Sequence, residues 1–79
     1  MRPIFVTRHA MRRASQREIS FTEVRETILQ PDLEQKARHG RLKVIKEFQG
    51  RQLVVVYLKR RQADVVVTAY WRGHADFLR

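Results

Sequence analysis

The chain has 79 residues, with 17 Lys+Arg against 8 Asp+Glu for a formal charge of +9, and it has no cysteine. That length admits one domain and excludes a doubly wound nucleotide-binding fold or an eight-unit βα barrel, while the lack of cysteine excludes disulfides, thiol nucleophiles and Cys-based zinc sites. A hydrophobic fraction of 43% separates the chain from disordered basic tails, and a pI near 11.3 lies above the threshold of about 9 that marks nucleic-acid-binding domains.

The cations are mostly arginine, whose planar fork matches phosphate and stays charged in any setting. No apolar run approaches the ~18 residues of a membrane span, and the N-terminus lacks a signal-peptide core. The expectation is a cytoplasmic protein with RNA as partner and no membrane.

Ile4, Phe5 and Val6 make a short apolar start. Thr7 then offers an N-cap, and Ala10, Met11 and Ala14 form a stripe at helical spacing, which predicts a helix over about 8–17. Ser20-Phe21-Thr22-Glu23 has the form of a capping box, with Ile19 and Val24 placed to staple it. Phe21, Val24 and Ile28 continue at helical spacing until Pro31, predicting a second helix over about 21–29.

From here the period changes. Residues 33–38 are weakly patterned, an edge strand at most, and residues 41–48 alternate as a strand. Gln49-Gly50 reads as a tight turn. Residues 51–58 are apolar on both faces, which suits a central strand, and residues 64–71 are again rich in β-branched and aromatic types. The fold expected is α+β: one domain over 1–79, two N-terminal helices packed on a three- or four-stranded antiparallel sheet. Two short helices cover one face of such a sheet, so a homodimer is a candidate assembly.

Three places break the pattern. Lys46 shares a strand face with Leu42, Val44 and Phe48, which fits a bulge, an inward charge guarding an edge, or an anion site. Thr68 and Tyr70 put two hydroxyls about 7 Å apart along one side of the last strand, together with Val66 and Arg72. His9, Arg12, Arg13 and Gln16 line one face of the first helix. His39 falls in a loop, His74 and Arg79 in the tail, and the three histidines are too scattered for a metal site. No cofactor or metal is expected.

The stretch His9-Ala10-Met11-Arg12-Arg13, Arg17-Glu18-Ile19-Ser20, Glu23-Val24 and Pro31-Asp32, then Gly50-Arg51, Val54-Val55-Val56-Tyr57 and Val66-Val67-Thr68-Ala69-Tyr70, resembles a domain-of-unknown-function family. Its members open with a His-Ala-x-x-Arg helix and end on a Thr-x-Tyr strand. That family in turn resembles the RelE/ParE toxin superfamily and the small ribonuclease folds of barnase-like, EndoU-like and colicin-type toxins. The likeness covers about residues 7–71, with one departure: many members carry Gly where Glu18 stands.

The resemblance implies a metal-independent RNA-cleaving toxin of a toxin–antitoxin system, giving a 2′,3′-cyclic phosphate. His9 would be the general base for the 2′-hydroxyl, and Arg12 or Lys46 would stabilise the phosphorane oxygens. Thr68 and Tyr70 would orient the phosphate, and Tyr70 could protonate the leaving oxygen. Arg13, Arg51, Lys59, Arg60, Arg61 and Arg72 would bind RNA, with Trp71 and Tyr57 as stacking or core residues. An acidic antitoxin would cover the basic face. A non-catalytic RNA- or ribosome-binding module and a homodimeric interaction protein are the alternatives.

Overall fold

Thr7 starts the first helix as its spacing predicts. Its hydroxyl accepts from the Ala10 backbone N–H at 3.1 Å, and α1 runs Arg8–Gln16 in this computed structural model, which describes residues 2–73. The capping box forms in full: Ser20 Oγ accepts from the Glu23 N–H at 3.1 Å, the Glu23 carboxylate accepts from the Ser20 N–H at 2.9 Å, and α2 runs Phe21–Leu29. Between the helices the Ile19 N–H reaches back to the Ala14 carbonyl at 2.8 Å while Glu18 takes φ 56°. That closure wants a left-handed residue, which costs a non-glycine about 1 kcal/mol.

The strands are β1 (Ile4–Val6), β2 (Leu33–Lys36), β3 (Arg41–Phe48), β4 (Arg51–Lys59) and β5 (Asp64–Gly73), in the order β1-β5-β4-β3-β2. The expected three or four antiparallel strands are therefore corrected to five in a mixed sheet. Ile4–Val6 pairs parallel to β5, with Ile4 opposite Asp64, and the Thr7 N–H extends the ladder to the Val66 carbonyl. Three residues are too few to show an alternation, so this strand could not be read locally. β2 stops at Lys36, short of the expected 38, and Arg38–Gly40 form a 3-10 turn with His39 at φ 61°. The Gln49-Gly50 turn forms as expected, with φ of 50° and 86°, the paired positive values of a type I′ hairpin.

Both helices lie on one face of the sheet. Ala10, Ile19, Val24 and Ile28 pack there against Val44, Leu53, Val55, Tyr57, Val66 and Ala69, all buried. Val66 and Ala69 are three apart in one strand, yet both enter this core. The reason is a bulge: Val56 pairs with Thr68 but Tyr57 pairs with Val66, so Val67 is an extra residue and the alternation inverts across it. The expected face of Val66, Thr68, Tyr70 and Arg72 is thereby split. Val66 points inward with Ala69 and Trp71, while Thr68, Tyr70 and Arg72 point to the face opposite α1 and α2.

Lys46 is on the helix face, and its Nζ donates to the Gln30 carbonyl at 2.9 Å. The ammonium thus satisfies a carbonyl at the C-terminal end of α2, where the helix dipole favours a cation. Neither a bulge nor an edge explains it, since β3 is an interior strand.

Arg2 ties the start of the chain to the β4–β5 connection. Its Nε donates to Asp64 Oδ1 at 3.1 Å, and its guanidinium also donates to the carbonyls of Arg60, Arg61 and Ala63. Beneath this corner Tyr57 is 5% exposed. Burial, then the carboxylates of Asp64 and Glu34, push its phenol above the ordinary value of 10.0, against the pull of Arg2. A group with a raised native pKa stabilises the fold fully below its unfolded pKa, and that contribution is lost as pH rises through the native value. The melting temperature is therefore expected to fall as pH climbs past about 10, and Tyr57→Phe should make that alkaline fall shallower. An unchanged pH profile in the variant would contradict this role.

Candidate nucleic-acid interface

α1 is basic because four of the nine residues Arg8–Gln16 are Arg8, His9, Arg12 and Arg13 and none is acidic. Ala10 and Ala14 have no bulk beyond Cβ, so the helix sits close on β5 and turns its long cations outward. Arg8, His9, Arg12, Arg13 and Gln16 are all exposed. Among the described residues none of these three arginines makes a salt bridge or side-chain hydrogen bond. The helical arrangement foreseen for His9, Arg12, Arg13 and Gln16 is thus present.

The C-terminal end of α1 is fastened to β5 at two points. Arg17 Nη1 donates to the Ala69 carbonyl at 2.7 Å, and Trp71 Nε1 donates to the Arg17 carbonyl at 3.0 Å. Trp71 in turn carries the Arg51 guanidinium, whose Cζ is 4.0 Å from the ring centroid, and meets Phe48 edge-on at 6.2 Å and 89°. The basic track of α1 therefore ends beside a rigid aromatic–arginine cluster. Arg8 belongs to this track but was not singled out from sequence; its i,i+4 spacing to Arg12 was the available signal.

The remaining site residues lie apart. Thr68, Tyr70 and Arg72 are on the sheet face turned away from α1, where Arg72 donates to Gln52 Oε1 through Nε and Nη2 at 3.2 and 2.9 Å. The sheet stands between them and His9, so the described residues do not bring the helix histidine and the strand hydroxyls together. Lys46 is held at the end of α2, as above. Lys59, Arg60 and Arg61 are exposed at the β4–β5 connection, whose carbonyls Arg2 holds. Tyr57 is a core residue. His74 and Arg79 lie outside the described residues.

A cavity of about 420 Å³ opens between the helices, with Met11, Ser15, Phe21 and Val24 in its wall. Its lining has no ionisable group, so it offers nothing for acid–base or phosphate chemistry. Among the described residues no group of three or more His, Asp or Glu is placed to hold a metal ion. No helix among them is long and apolar enough to cross a membrane.

No curated protein and no solved structure matches the chain. A family profile described as a domain of unknown function, DUF4258, matches residues 6–71. The matched span starts inside β1, takes in both helices and ends at Trp71, so it contains the basic helix, the cluster that fastens it and the bulged strand. On that coverage the chain belongs to the DUF4258 family.

Proposed function

We propose that this protein binds RNA through the outer face of α1. The observation that carries the reading is the run of exposed cations Arg8, Arg12 and Arg13 on the outer side of α1, none of them paired with a carboxylate among the described residues. Backbone phosphates offer such a face its natural counter-charge, and release of their counterions drives association. The overall charge of +9 adds long-range attraction and would equally favour an acidic protein, such as an antitoxin, as a competitor for the same face.

A second reading is the RNA-cleaving toxin implied by the likeness to the RelE/ParE superfamily. It is supported by the spacing of His9 to Arg12 and Arg13 on the exposed helix, which would put a general base beside two phosphate-binding guanidiniums. In this form the centre is on α1, and Thr68 and Tyr70 act elsewhere. The test is RNA binding and cleavage in EDTA by wild type, His9→Ala and Thr68→Ala. Cyclic-phosphate ends from wild type and Thr68→Ala but not from His9→Ala would establish the α1-centred nuclease. Binding without cleavage by any of the three would leave the binding module, and absence of salt-sensitive binding would remove both readings.

A further inference from the structure

We infer that the Arg51 guanidinium, stacked on Trp71, is a platform for a nucleobase of single-stranded RNA; the inference rests on the RNA-binding reading above. Arg51 follows the Gln49-Gly50 turn, so it stands at the very end of the sheet. Its Cζ is 4.0 Å from the Trp71 ring centroid, a stacking separation. The indole beneath it is oriented by the bond from its N–H to the Arg17 carbonyl and by Phe48, which meets its ring edge-on. The guanidinium carbon thus sits over a ring that is itself tied to α1 and to β3.

What lies on the other side of the guanidinium decides the matter. The residue opposite Arg51 on β5 is Gly73, which has no side chain to cover it. Arg51 is exposed, and among the described residues its guanidinium has neither a salt bridge nor a hydrogen bond. Among the described residues one π-face is therefore used by Trp71, while nothing covers the second face and the in-plane N–H donors have no partner. A structural arginine normally spends those donors on carboxylates or carbonyls, as Arg2 does on Asp64 and three backbone oxygens. An open, planar, weakly hydrated cation beside a basic helix is suited to a base on its face and a phosphate oxygen at its edge. Bases stack on such a surface irrespective of sequence, so the platform would select unpaired strands rather than a particular sequence.

Trp71 is the single tryptophan of the chain, so its fluorescence reports on this position directly. The experiment titrates the full chain with a single-stranded oligoadenylate and with an abasic oligomer of the same length and charge. For wild type the adenylate is expected to bind roughly fivefold or more tightly than the abasic oligomer, with a change in tryptophan emission for the adenylate. Arg51→Lys keeps the charge but not the plane, and it is expected to bring that affinity ratio close to one. A merely structural Arg51 would alter the melting temperature of the variant without touching the ratio. Equal affinity of wild type for the two oligomers, or a ratio unchanged in Arg51→Lys, would overturn the platform while leaving RNA binding in place. Binding of neither oligomer would overturn the RNA reading and the platform with it.

Discussion

Replacing Arg8, Arg12 and Arg13 together by glutamine is expected to weaken binding to single-stranded RNA about 50-fold at ~0.15 M salt. Each phosphate contact on a single strand contributes about 0.7 to the slope of log affinity against log salt, so three lost contacts remove roughly two units of slope. The loss should therefore shrink as salt is raised and nearly vanish near 1 M. Glutamine is a good helix former, and all three side chains are exposed without partners among the described residues, so the fold should be unaffected. Binding measured across a salt series checks this. A triple variant that keeps the wild-type slope would show that α1 is not where phosphate binds.

Leu53→Ala is expected to cost about 3 kcal/mol of stability, the largest effect of any single truncation in the core. Leu53 is fully buried on the helix face of the central strand, between Lys46 on β3 and Trp71 on β5. Central strands cannot collapse into the space left, because both neighbouring ladders fix the backbone. For a chain of this size 1 kcal/mol shifts the melting temperature by about 4–8 °C, so a fall of roughly 12–24 °C should be seen by circular dichroism. Leu29→Ala is the control, since Leu29 is 46% exposed and should cost little. Similar melting for the two variants would contradict the assignment of the core.

The helices were legible because their signals are local. Thr7 and Ser20 each cap within three residues, and the apolar spacing of α2 ends at a proline. The β3–β4 hairpin was legible for the same reason, through alternation on both sides of Gln49-Gly50. What was not legible depends on partners distant in sequence. β1 exists only because β5 offers it an edge, and Lys46 looked anomalous only because the Gln30 carbonyl was not in view. The shared face expected along β5 breaks at one residue. Val67 looks like any other member of a Val-Val-Val run, yet as the bulge it moves Thr68 and Tyr70 to the face away from His9. A single inserted residue is invisible in a run of identical side chains, so periodicity counted along β5 gave the wrong partners. The exposed basic face of α1 needed only helical spacing and was read correctly.

The parallel pairing of β1 with β5 also constrains how the chain acquires its fold during synthesis. Arg2 and Asp64 stand 62 positions apart, whereas the β3–β4 and β4–β5 ladders are closed by short connections. On the ribosome β1 emerges before β5 and must wait unpaired until that partner follows. The stripe of α1 formed by Ala10 and Ala14 also packs on β5, so it too stays uncovered in the interval. Helical turns and the middle hairpin can form as they emerge, but long loop closure is entropically the most costly step. The nascent chain therefore cannot complete this core until the residues of β5 have left the exit tunnel, and of the five strands the one made earliest is the last to be locked in place.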